Sequence, residues 1–151
     1  MVNAKKVQGL LDNLRTHVGY LRDIARTERA VFLTDPAKIG GAKYYLQTAI
    51  AACMDLGNHI IAAEHYRQPK DYRDIFTVLN ENGIIPNDFT VTLRQMAGLR
   101  NRLVHLYWEV DDKQIYDDLQ NHLGDFDTFV QYILDFMQRQ SSSPSSAGSD
   151  Q

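Results

Sequence analysis

The stretch LQTAIAACMDLGNHI, residues 46–60, lies in the longest predicted helix and decides the fold. Apolar or small residues recur along it at alternating intervals of four and three, at Leu46, Ile50, Cys53, Gly57 and Ile60. This spacing places one apolar stripe along a helix and is typical of the seam of a helical bundle. We predict a long helix from about residue 39 to residue 67, which ends before Gln68-Pro69.

Helical periodicity continues on both sides of this segment, without the sustained alternation that a strand would show. The pattern predicts further helices at about 3–26, 71–82 and 88–105, and a helical region at 113–138 with a break near Gly124. Their expected core residues are Val7, Leu10, Leu14, Val18, Leu21, Ile24, Ile75, Phe76, Leu79, Ile115, Leu119, Phe126, Phe129, Ile133 and Phe136. We therefore predict an all-α fold, an antiparallel bundle of four main helices plus a short one.

Length and composition are those of one soluble globular domain, with 151 residues, 44% apolar residues and a net charge of -3. We expect the domain at residues 1–139 and a disordered, serine-rich tail at 140–151. Cys53 is the only cysteine, so no intramolecular disulfide can form. No apolar run approaches the roughly 20 residues that span a bilayer. These features predict a cytoplasmic protein without a membrane contact.

The charge is unevenly distributed. Residues 1–29 carry six Lys or Arg against three Asp or Glu, whereas residues 105–151 carry two against nine. An RNA contact would need a local basic surface on the first helix, and a solvated helix face explains the same residues equally well. The residues concerned are Lys5, Lys6, Arg15, Arg22, Arg26 and Arg29.

The segment GLRNRLVHLYW, residues 98–108, concentrates basic, polar and aromatic groups at the end of a predicted helix. Its core stripe is expected to comprise Met96, Leu99, Leu103 and Leu106, so Gly98, Asn101 and His105 should face solvent or another chain. A glycine inside a helix costs about 1 kcal/mol relative to alanine. Close approach of another protomer's backbone at Gly98 would explain that cost.

Arg100 and His105 are five residues apart, which separates them by about 140° around one helix. Two protomers that cross at Gly98 would instead combine two arginines and two histidines in one composite site. Such a set can supply the base, the acid and the cation that metal-free RNA cleavage needs. Asn101, four residues before His105, is placed to orient its ring.

The spacing Arg100, His105, Tyr107 reproduces the R-x4-H-x-Y pattern of the HepT toxins within the HEPN superfamily. The runs at 47–59, 76–83 and 96–108 also resemble that family in the same order, and the resemblance covers about residues 40–138. It implies a HEPN-like fold and a homodimeric, metal-independent ribonuclease that cleaves tRNA or mRNA. Arg100 and His105 would be its catalytic residues.

The resemblance also implies a partner, an MntA-type nucleotidyltransferase antitoxin that transfers AMP to Tyr107. That partner would use ATP and magnesium, while this chain would need no metal and no cofactor. An adenylate on Tyr107 would obstruct and repel RNA. Leu106 departs from relatives, which often carry a charged or small residue there.

Other interpretations remain open at this point. The chain could be a non-catalytic HEPN module that binds a nucleotidyltransferase or a nucleotide, or a scaffold with a relict motif. Tyr107 and Trp108 could be core anchors with a polar edge. Asp55 and His59 could form a local ion pair or support the site.

Overall fold

A computed structural model describes residues 1–142 as seven α-helices and one short 3-10 helix, with no strand among them. This confirms the all-α prediction. In chain order the elements are α1 (Ala4–Ala25), α2 (Arg29–Phe32), α3 (Pro36–Ala63), α4 (Tyr72–Glu81), α5 (Asn87–His105), η1 (Tyr107–Glu109), α6 (Asp112–Asn121) and α7 (Gly124–Ser141).

Aspartate and asparagine caps define where several helices begin. The side chain of Asp35 accepts hydrogen bonds from the amides of Ala37 and Lys38, and Pro36 occupies the first turn. Asp71 caps α4 in the same way, by accepting from the amide of Asp74. Such caps satisfy amides that have no partner inside the helix. The long helix α3 therefore starts three residues before the predicted position.

The end of α3 is set by a left-handed residue. His65 has a φ of 56°, and the amide of Tyr66 donates to the carbonyl of Ile61 at 3.0 Å. This is a Schellman-type ending, usually built with glycine at the left-handed position. It stops α3 at Ala63, four residues before the predicted end.

The predicted seam of α3 is confirmed, because all five of its residues are buried. Helices α1, α4, α5 and α6 pack around α3. The apolar stripe of α1 also lies inside, with Leu10 and Ile24 partly buried at its edges. The chain thus folds around α3, and α5 packs against both α3 and α4.

The predicted break in the region 113–138 is confirmed, because this region forms two helices, α6 and α7, which are separated at His122-Leu123. Two differences from the prediction concern the shorter elements. The connection before α3 contains the single-turn helix α2. Helix α7 continues to Ser141, two residues past the predicted domain boundary, and the rest of the predicted tail, 143–151, lies outside the described residues. Within residues 1–142, no helix combines the length and apolar character that crossing a bilayer requires.

Candidate active site

The R-x4-H-x-Y residues lie across the end of α5 and the turn that follows it. Arg100, Asn101 and His105 belong to the last two turns of α5, and Tyr107 begins η1. The helix ends at His105 because Leu106 leaves the helical region, with φ −133° and ψ 42°. Tyr107 is therefore carried by a separate turn, and its direction does not follow the periodicity of α5.

Arg100 points toward the start of α4. Its guanidinium carbon lies 5.0 Å from the centroid of the Tyr72 ring, a cation–π arrangement. Arg100 also acts on Asp55 of α3, since burial raises the pKa of that carboxyl and the charge of Arg100 opposes the rise. The Nε atom of Arg100 is buried and has no hydrogen-bond partner within the described residues.

Asn101 differs from the expectation that it would face solvent. The residue is partly buried, and its Oδ1 is a buried atom without a hydrogen-bond partner in the part of the chain that the structure describes. It therefore does not accept the expected hydrogen bond from His105. Buried polar atoms are nearly always hydrogen-bonded in folded proteins. Two such atoms without a partner on the neighbouring residues Arg100 and Asn101 are therefore unusual.

His105 is exposed at the last residue of α5. Helix α5 is continuous from Asn87 to His105, so the separation of about 140° between Arg100 and His105 remains. Arg100 faces α4, whereas His105 faces outward. One chain therefore does not bring the two residues together on a common face.

Gly98 is buried, and its missing side chain makes room for Arg73. The Nη2 atom of Arg73 lies 2.5 Å from the point where a Cβ on Gly98 would be. The expectation that another protomer's backbone approaches Gly98 is therefore wrong, because an arginine of the same chain occupies this space. Gly98 and Asn101 are three residues apart and share a face of α5. Arg73 thus adds a second guanidinium beside the motif, which sequence reasoning missed.

Tyr107 packs against the first half of α3. The Nζ of Lys43 lies 4.6 Å from the centroid of its ring, and its hydroxyl lies 3.7 Å from the point where a Cβ on Gly40 would be. Lys43 is buried, and its ammonium donates to the carbonyl of Val110 at 3.1 Å and pairs with Asp112 at 3.0 Å. Tyr107 itself is 42% exposed, so the ring is supported from one side and accessible from the other.

Apolar side chains around the motif reach solvent. Leu106 is 41% exposed, which corrects its assignment to the core stripe, and Val104 is also exposed. Trp108 is 77% exposed and does not anchor the core. A group of exposed apolar residues beside polar ones is a common feature of surfaces that bind another molecule.

Four of the other residues singled out in the sequence have local partners. His59 accepts a hydrogen bond from the amide of Asn3 at 3.2 Å, and it is not paired with Asp55 within residues 1–142. Three of the six basic residues proposed near the first helix are ion-paired, Arg22 with Asp127, Arg26 with Asp23 and Arg29 with Asp117.

The cysteine and the potential metal-ligating side chains of residues 1–142 do not form a second site. Cys53 is buried in the core, and burial raises the pKa of its thiol, so it is not a nucleophile. Among residues 1–142, no three His, Cys, Asp or Glu side chains are grouped closely enough to hold a metal ion.

Comparison with known proteins adds independent information. A protein-family model described as Ribonuclease HepT-like matches residues 14–133. The chain is 38% identical over 88 residues to an mRNA nuclease HepT of Shewanella oneidensis, an alignment that covers 58% of this chain and 66% of that protein. It is 27% identical over 94 residues to a tRNA nuclease HepT of Aphanizomenon flos-aquae, covering 61% and 63% of the two chains. The chain thus spans slightly less than two thirds of each nuclease.

A solved structure also shares the fold. It is a tri-AMPylated HEPN toxin of Shewanella oneidensis in complex with an MNT antitoxin, and it superposes with a TM-score of 0.78 at 28% identity. The match covers 84% of this chain and 95% of that toxin.

Proposed function

Because this chain belongs to the HepT-like ribonuclease family, we propose that it is the ribonuclease toxin of a toxin–antitoxin pair. The observation that carries the proposal is the pair of buried polar atoms without partners, Arg100 Nε and Asn101 Oδ1, at the motif itself. A buried polar group without a partner costs free energy, so a ligand or a partner chain that pairs with these two atoms would recover that cost. The names of the two nuclease relatives support RNA as that ligand.

The chemistry is a transesterification that needs no metal ion. A histidine removes the proton from a ribose 2'-hydroxyl, whose oxygen then attacks the neighbouring phosphorus. The bond from phosphorus to the 5'-oxygen breaks, and a second acid protonates that leaving oxygen. The products are a 2',3'-cyclic phosphate and a 5'-hydroxyl. His105 is suited to the proton transfers, and Arg100 to the charge that develops on the phosphate oxygens.

A homodimer would assemble these groups. Within one chain Arg100 and His105 face different directions, so neither protomer holds a complete set. The exposed apolar residues Val104, Leu106 and Trp108 adjoin the motif and would lose contact with water at a protomer interface. Two-fold symmetry would then place His105 of one protomer near Arg100 of the other and complete the site.

Tyr107 is the proposed acceptor of AMP from a nucleotidyltransferase antitoxin, which would use ATP and magnesium. Tyr107 is 42% exposed, and the similarity to a tri-AMPylated toxin held by an MNT antitoxin supports the assignment. Transfer of AMP adds a bulky negative group beside the motif. The phosphate of that group would compete with the phosphates of RNA for the positively charged side chains at the motif.

The ribonuclease proposal is tested with protein whose intact mass shows no modification. We expect it to cleave total RNA or purified tRNA in excess EDTA, because no step needs a metal ion. The cleaved ends should be a 2',3'-cyclic phosphate and a 5'-hydroxyl, which end-labelling with and without phosphatase distinguishes. Absence of cleavage from unmodified, folded dimer would contradict the proposal and favour a module that only binds the antitoxin or a nucleotide.

Arg73 is expected to contribute to RNA affinity through the phosphate backbone. In an inactive background, Arg73→Ala should lower the slope of log K against log salt concentration by about 0.7, the value for one phosphate contact on a single strand. Fluorescence anisotropy with a labelled oligoribonucleotide at several salt concentrations measures this slope. Arg26→Ala, which removes another exposed arginine, at the residue that caps the end of α1, is the matched control. Equal changes in both variants would show a general charge effect instead of a contact at the motif.

A further inference from the structure

A cleft of about 600 Å³ lies between the end of α3 and the start of α4, one residue away from Arg100. Tyr72 connects the two features, because it lines the cleft and its ring also contacts the Arg100 guanidinium. Tyr72 is 48% exposed, so it offers free surface in addition to the part that Arg100 covers. A molecule in this cleft would therefore lie next to the proposed phosphate-binding cation.

The lining of the cleft suits a flat, neutral group. Ile61 and Ile75 are buried apolar residues that line it, and Tyr66, Tyr72 and His65 supply aromatic surface. The side-chain amides of Asn58 and Gln68 can both donate and accept hydrogen bonds in its lining, as can the polar atoms of the three aromatic residues. Neither lysine nor arginine lines the cleft, whereas Asp71 does. This charge pattern disfavours a phosphate inside the cleft and favours an uncharged ring.

The outer wall of the cleft is held in a defined shape. The wall follows the left-handed residue His65, and Arg67 then binds Asp74 through two hydrogen bonds of 2.8 and 2.9 Å. Arg67 also binds Glu81 at 2.8 Å, and the amide of Lys70 donates to Asp74 at 2.8 Å. The Arg67 guanidinium lowers the pKa of the Asp74 carboxyl, which keeps it charged and bound. A wall fixed before binding loses less conformational freedom when a ligand enters.

We infer that this cleft binds an unpaired nucleobase of the RNA strand whose phosphate lies at Arg100. Tyr72 is the stacking platform for that base, and the amides of Asn58 and Gln68 contact its edge. The inference rests on the proposed ribonuclease function and adds a subsite for the substrate. It implies that the substrate is single-stranded at the cleavage position, because a base inside a duplex could not enter the cleft.

Binding is measured separately from cleavage, in a folded His105→Ala background with a labelled single-stranded oligoribonucleotide. Base–aromatic stacking is worth enough that Tyr72→Ala should weaken binding roughly tenfold. Tyr72→Phe retains the ring and should stay within about twofold of the parent. Tyr20→Ala removes a tyrosine of similar exposure, 44%, from α1 and should have no effect. Circular dichroism of each variant checks the fold.

An abasic oligonucleotide separates a stacked base from an indirect effect on Arg100. Removal of the base that occupies the cleft should weaken binding by the same factor as Tyr72→Ala. The abasic strand should bind Tyr72→Ala no more weakly than it binds the parent, because both changes remove the same contact. Additive losses, or an abasic series that binds as tightly as the intact strand at every position, would overturn the inference. AMP that binds as tightly as the oligonucleotide would overturn the assignment to an RNA strand. Tyr72-dependent binding by a protein that cleaves no RNA would support the cleft and contradict the ribonuclease.

Discussion

Replacement of His105 with alanine is expected to lower the rate of RNA cleavage by at least about a hundredfold, the usual contribution of one proton-transferring side chain. The ring is exposed at the last residue of α5 and supports no core contact, so the fold should be unchanged. Initial rates on a defined tRNA in excess EDTA measure the effect. His122→Ala, which removes an exposed histidine between α6 and α7, should cleave at the parent rate.

A complementation experiment separates catalysis within one chain from a composite site. Arg100→Ala and His105→Ala homodimers should both be inactive, one lacking every arginine and the other every histidine of the site. Mixed dimers would hold one arginine and one histidine on different protomers, and we expect cleavage to return in part. Continued inactivity of verified mixed dimers would argue against a site shared between protomers. Loss of dimers in His105→Ala would instead assign His105 to assembly.

The interior of this fold was predictable from periodicity alone. All five seam residues of α3 and the core candidates of α4, α6 and α7 are buried. An apolar stripe with helical spacing lies on one face of a helix, and only packing of that face against other helices removes it from water. The caps Asp35 and Asp71 were less informative in the sequence. A capping aspartate and an aspartate in a loop look alike, so the start of α3 was placed too late.

The site was harder to predict, since it depends on where a helix stops and on which distant side chain approaches it. Leu106 was assigned to the core on the assumption that α5 continued, but α5 ends one residue earlier and exposes it. Gly98 correctly indicated a close approach, yet nothing in the sequence identified Arg73 as the group that approaches. The same is true of Lys43 and Tyr107, which are far apart in the chain and meet only when η1 folds against α3.

Tyr107→Phe should abolish neutralisation by the antitoxin while leaving RNA cleavage intact. The variant lacks the hydroxyl that would accept AMP but retains the ring over Lys43. The cation–π contact, worth about 0.5–2 kcal/mol, is therefore preserved, and so is the position of η1. After incubation with antitoxin, ATP and magnesium, intact mass should show no added AMP, and the protein should still cleave RNA. Cells that express the antitoxin should be protected from the parent toxin but not from this variant.

Tyr44→Phe is the matched control for the acceptor assignment. Tyr44 is 55% exposed on α3, one turn beyond Gly40, so a nucleotidyltransferase docked at Tyr107 would also meet its hydroxyl. We expect Tyr44→Phe to receive as much AMP as the parent and Tyr107→Phe to receive none. This result would show that Tyr107 is the acceptor and that exposure of a tyrosine is not sufficient for modification. Undiminished AMP transfer to Tyr107→Phe would contradict the assignment. If Tyr107→Phe no longer cleaves RNA, the Tyr107 hydroxyl takes part in cleavage and not only in its inhibition, because the phenolic oxygen is the only group removed.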